Sequence, residues 1–116
     1  MAFQMNIKES EDMMVVELSG SLDTLSAEDL KTAFGQVIRA GRKRIILSLK
    51  GLKYIASSSI RVFLYLGKAV NQSQGALKIA EVPPNVMDIF RMVGLGNAIP
   101  IFGSLSDAID SFGPRE

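Results

Sequence analysis

GLKYIASSSIRVFLYL, residues 51–66, passes from a loop into a strongly apolar helix and sets three serines, Ser57, Ser58 and Ser59, at the junction. The first turn of a helix carries backbone N–H groups that find no partner within the helix. A serine there can accept from one of them, beside the positive end of the helix dipole. One serine suffices for a cap, and a hydroxyl in the first turn gains nothing from helix propensity. At least one hydroxyl is therefore expected to face solvent. A phosphoryl group placed there would meet a favourable dipole, so the stretch supports two readings, a cap alone or a cap with a modification site beside it.

Upstream, Arg44 to Leu49 is short, apolar and rich in β-branched residues, as expected of a central strand covered on both faces. It is preceded by a helix read from Ser26 as N-cap, with Asp29 three residues on and Leu25 stapled against Leu30. Leu30, Ala33, Phe34, Val37 and Ile38 share one face of this helix, and Gly41 stands at its stop. Before it, Phe3, Met5 and Ile7 alternate with polar residues as in a half-buried strand. Glu9 to Asp12 suits a hairpin turn, and Met13 to Leu18 supplies a second strand ending at Gly20.

Downstream, the focal helix presents Ile60, Phe63, Leu64, Gly67 and Val70 on one side with Val62, Leu66 and Ala69 beside them, which predicts that most of it is buried. Ala76 to Ala80 reads as a strand, and Pro83 and Pro84 open a helix with Val86, Ile89, Phe90 and Val93 on one face, ended by Gly94. Ile99 to Phe102 is a short strand whose Pro100 suggests a sheet edge. Ser104 with Asp107 marks the start of a terminal helix packing through Leu105, Ala108, Ile109 and Phe112. The order β-β-α-β-α-β-α-β-α predicts an α/β fold in one domain over residues 1–116, a mixed, mainly parallel sheet of about five strands with about four helices. Functional groups in such sheets collect beyond the carboxyl ends of the strands. That edge would hold Asp23, the serines, the Val82 to Asn85 turn and Gly103.

Composition narrows the chemistry. The 116 residues include no cysteine and no histidine, which removes thiolate and imidazole chemistry and the commonest soft metal ligands. Asp23 and the serine hydroxyls are the only acids and nucleophiles at the expected edge, and a serine nucleophile needs an activating base within hydrogen-bond reach. No catalytic residue, cofactor or metal is therefore expected, and the chain reads as a binding module rather than an enzyme. Net charge is +1, which gives no general attraction to nucleic acid. The basic cluster Arg39, Arg42, Lys43 and Arg44 reads as the solvated end of a helix. No apolar run approaches the roughly 20 residues of a membrane span. MAFQMNIKES lacks the pattern of a secretory signal, so a cytoplasmic location is expected. Met13, Met14, Met87 and Met92 read as adaptable core filler.

LSGSLD at 18–23, RIILSLKGLKYIASSSI at 44–60 and MVGL at 92–95 occur here in an order and spacing that resembles the STAS domain. That family includes bacterial anti-sigma factor antagonists and the cytoplasmic tails of sulfate transporters. The resemblance spans essentially the whole chain. It implies a phosphoacceptor at Ser58, modified by a partner that is often both anti-sigma factor and ATPase-type serine kinase. It also implies a partner surface around Asp23, Ser57, Ser58, Ser59 and Arg61. The family loop typically reads Asp-Ser-Ser/Thr-Gly. Here Ala56 takes the place of the aspartate, Ser59 that of the glycine, and Ser48 replaces an aspartate near the end of the preceding strand, while the acidic Asp23 is retained. A second role stays open, that of an unphosphorylated scaffold or regulatory subunit of a stress-signalling or lipid-transport complex.

Overall fold

The computed structural model describes residues 3–10 and 13–113. Its strands are β1 (Gln4–Ser10), β2 (Met13–Leu22), β3 (Arg44–Ile55), β4 (Ala76–Ala80) and β5 (Ile101–Phe102); its α-helices are α1 (Thr24–Arg39), α2 (Ile60–Gln72), α3 (Pro84–Val93) and α4 (Leu105–Asp110). The sheet is ordered β1-β2-β3-β4-β5, with β1 antiparallel to β2 and every other pair parallel. This is the expected architecture, with the Pro100-flanked β5 at one edge. Part of the expected hairpin turn, Glu11 and Asp12, lies outside the described residues.

Alternation sorts the strand residues onto two faces. Val16, Leu18, Ile45, Leu47, Leu77 and Ile79 join buried residues of α1, α2 and α3 in the main core. On the other face Ile46 and Ala80 form a small cluster with Ala108 of α4, flanked by Val15 and Phe112. Met14 is buried and Met13 and Met87 pack on these clusters, but Met92 is 85% exposed at the end of α3 and fills no core. Val93, expected on the buried face of α3, is also exposed, as is Ile109 on α4. In the edge strand β1, Met5 packs on the core while Ile7 is exposed.

The structure corrects the sequence at three further places. β3 does not stop at Leu49 but continues to Ile55, so the first part of the focal stretch is strand and not loop. Two register shifts make this possible. Between Glu17 and Ser19, and again between Gly20 and Ser21, β3 takes one more residue than β2, and each bulge changes the phase of its side chains. Leu49, Leu52 and Ile55 therefore all reach the main core although they are spaced by three. At the first bulge the strands approach so closely that a Cβ on Gly51 would lie 2.8 Å from Ser19 Cβ, which requires glycine.

The second correction concerns α1, which begins directly after β2 with Asp23 as N-cap; Ser26 lies within the first turn. Leu25 is 76% exposed and staples nothing. The third concerns α2, whose buried residues are Ile60, Val62, Phe63, Leu66 and Val70, while Leu64, expected on the buried side, is exposed; Tyr65, outside the expected apolar faces, is exposed beside it. Lys31 of α1 sits 4.4 Å from the centre of the Tyr65 ring, a cation–π contact that uses this exposed aromatic face. The basic cluster also spreads into separate contacts. Arg42 pairs with Glu9 at 2.7 Å, Lys43 donates to the Ser73 carbonyl, and Arg44 lies over the Phe112 ring.

Candidate functional site

The ends of β2 and β3 lie side by side, with Leu22 paired to Ile55, so the turns that follow them must also be neighbours. The chain after Ile55 keeps Ala56 extended and then closes a 3-10 turn, Ser57–Ser59, with Ser59 N–H donating to the Ala56 carbonyl at 2.8 Å. This turn is tied to the end of β2 twice through one acceptor. The Leu22 carbonyl receives the Ala56 N–H at 2.9 Å and the Ser59 hydroxyl at 3.3 Å. The third link joins side chains, Thr24 Oγ1 and Ser58 Oγ, 2.8 Å apart.

These bonds give the three serines different fates. Ser59 is 1% exposed and its hydroxyl points inward. Expected on the partner surface, it instead satisfies a buried carbonyl and holds the turn closed, which a hydroxyl at this depth must do to offset its desolvation. Ser57 and Ser58 are exposed, as is Arg61 one turn further on. None of the serines caps by its side chain: neither Ala56 before the 3-10 turn nor Ser59 before α2 makes a side-chain cap. Of the expected surface residues, Asp23, Ser57, Ser58 and Arg61 are thus all accessible. Thr24 was missed; the only signal for it was a hydroxyl residue next to Asp23.

Asp23 is occupied locally. Its Oδ1 accepts from both the Ser26 backbone N–H and the Ser26 hydroxyl, each at 2.8 Å. The backbone donation first, and the hydroxyl second, hold its carboxyl below the ordinary value of 3.8. The cap consequently contributes fully at pH values above the unfolded carboxyl's pKa and is lost as pH falls through the lower folded value. Asp23→Ala is expected to lower the melting temperature at neutral pH, and the gap from the parent protein should close on acidification below pH 3.8. Thermal melts across that range check this; a gap of constant size would contradict the assignment of Asp23 as the cap.

The end of β3 just before the turn also meets α3, through Asn85 Nδ2 donating to the Lys53 carbonyl at 3.1 Å. A concavity of about 1420 Å³ lies elsewhere, lined by Asn6, Glu17, Ser48, Lys50 and Glu81 among others, and includes none of Asp23, Ser57, Ser58 or Arg61. Ser48, one of its lining residues, is buried and donates to Glu81 Oε1 at 2.8 Å. Ser57 and Ser58 thus lie on exposed surface, where their chemistry is that of accessible hydroxyls. Among the described residues no helix is long and apolar enough to cross a membrane.

A five-stranded mixed sheet with its large core against three helices and a small cluster beneath a fourth, with a hydroxyl-bearing turn after β3, defines a small α/β domain. The chain belongs to the STAS domain family, whose model matches residues 4–108. It is 31% identical over 100 residues to BtrV of Bordetella bronchiseptica, named as a candidate anti-sigma factor antagonist, covering 86% of each chain. It is 29% identical over 110 residues to the anti-sigma F factor antagonist of Paenibacillus polymyxa, covering 94% of each. The fold superposes on the anti-sigma factor antagonist SpoIIAA in its unphosphorylated form with a TM-score of 0.80 and 24% identity, covering 99% of this chain and 100% of that one.

Proposed function

We propose that this protein is an anti-sigma factor antagonist that works by partner switching: its unmodified Ser58 surface docks on an anti-sigma factor that is also an ATPase-type serine kinase, and phosphorylation of Ser58 releases it. The observation that carries this reading is the division of labour among the serines. Ser58 presents an accessible hydroxyl on a turn held by three hydrogen bonds, whereas Ser59 is turned inward. The relatives named as antagonists support the same role. SpoIIAA, whose fold this chain shares, has been solved in a phosphorylated as well as an unphosphorylated form. Asp23 and Arg61 flank the serines and supply the charged part of the docking surface.

Ala56 favours the second role, an unphosphorylated scaffold or regulatory subunit, because it leaves the turn without a carboxylate of its own. The two are separated by mapping phosphate on protein isolated from its native cells together with whatever partner accompanies it. Phosphate on Ser58, with an ATPase-type kinase in the complex, is the expected result. Stable complexes without phosphate at any growth stage, or phosphate confined to Ser57, would replace the switch with the scaffold.

A further inference from the structure

The Thr24 and Ser58 hydroxyls lie 2.8 Å apart, and among the described residues neither has another side-chain partner. They come from different elements, Thr24 from the first residue of α1 and Ser58 from the turn after β3. The two turns are nevertheless held side by side, because the Leu22 carbonyl accepts both the Ala56 N–H and the Ser59 hydroxyl. Asp23 makes no hydrogen bond to Ser58; its Oδ1 accepts from Ser26 within its own helix start. Ser57 has no comparable neighbour among the side-chain hydrogen bonds of the described residues.

Resting on the reading of Ser58 as the phosphoacceptor, we infer that Thr24 is its positioning residue: the Thr24 hydroxyl holds Ser58 in one rotamer before phosphoryl transfer and donates to the phosphoryl group afterwards. A hydroxyl has one proton and two lone pairs. With Thr24 as donor, Ser58 Oγ keeps a lone pair for attack and its own proton stays free. In the transfer, the bond from Ser58 Oγ to the γ-phosphorus of ATP forms and the bond from that phosphorus to ADP breaks. ADP leaves with the electron pair, and the Ser58 proton passes to a carboxylate base of the kinase. Thr24 takes no proton; it sets the direction of the nucleophile, which is worth rate because misaligned rotamers are unproductive.

The test needs no kinase. Three proteins are compared, the parent, Thr24→Val, which keeps the shape without the hydroxyl, and Thr24→Ser, which restores it. In the unmodified proteins, three-bond couplings report the Ser58 χ1 rotamer. One staggered rotamer is expected in the parent and Thr24→Ser, and averaging in Thr24→Val. With phosphoserine installed at position 58, a phosphorus NMR titration reports the second phosphate pKa, expected to rise by about half a unit in Thr24→Val and to return in Thr24→Ser, since a donor favours the dianion. Melting temperatures verify that all three are folded. Couplings and titrations identical across the three proteins would overturn the inference. The switch itself fails on a different observation, native protein without phosphate on Ser58, so the two failures are distinguishable.

Discussion

Phe63→Ala is expected to cost about 3–5 kcal/mol of folding stability, the range for removing a fully buried aromatic ring from a core that cannot collapse into the space. Phe63 has no exposed surface, sits on the core side of α2, and meets Phe90 of α3 edge-on, with ring centroids 5.5 Å apart and planes at 70°. The loss therefore combines transfer, cavity and ring-pair terms, the last about 0.5–1.5 kcal/mol of the total. Small domains are stable by roughly 5–15 kcal/mol, so the variant should retain only part of its margin. Leu64→Ala, one residue on, is the control: its side chain is 44% exposed, and a much smaller loss is expected. Denaturant titrations of the two variants check this. A Phe63→Ala midpoint equal to that of the parent would contradict its place in the core.

The contrast between these neighbours shows where sequence was a good guide and where it was not. Phe63 and Leu64 are equally apolar, and nothing in the pattern separates the buried Phe63 from the exposed Leu64. Some helix ends were plain because they have a local chemical cause. Gly94 adopts the left-handed conformation (φ 67°) that ends α3, and Ser104 accepts the Asp107 N–H at the start of α4. The alternation of elements made the sheet legible as well. The start of α1 was ambiguous because Asp23 and Ser26 are both good caps three residues apart. What decided between them was the length of β2, set by pairing with β3 out to Leu22, a long-range fact.

The second half of β3 was hidden for a related reason. Its bulges put inward residues at 49, 52 and 55, a spacing that no strand template matches, and Lys50, Gly51, Lys53 and Tyr54 between them are exposed. The candidate site was half visible. Asp23 and the serines were placed on one edge by topology alone, and the structure brings their turns together through Leu22. Which serine faces inward, however, depends on the carbonyl that Ser59 reaches across 37 positions of sequence, and Thr24 acquires its role only through that same approach.

The larger functional effect is expected from phosphate on Ser58. It adds a charge of about −1.5 to −2 at neutral pH. In the free domain this charge is solvated, with Thr24 as a donor and Arg61 on the next turn, so the fold should barely respond. In a docked interface the same group must lose water and meet whatever complements the unmodified turn. A like-charge or unpaired contact there costs several kcal/mol. Since about 1.4 kcal/mol is a factor of ten, the partner should bind roughly a hundredfold more weakly or worse. Ser58→Asp should reproduce only part of this, having less charge and a shorter reach. The direct measurement is the affinity of the co-purified kinase partner for unmodified and Ser58-phosphorylated protein, taken alongside their melting temperatures. A loss of about a hundredfold in affinity with nearly equal melting temperatures is the predicted result; equal affinities would contradict the switch.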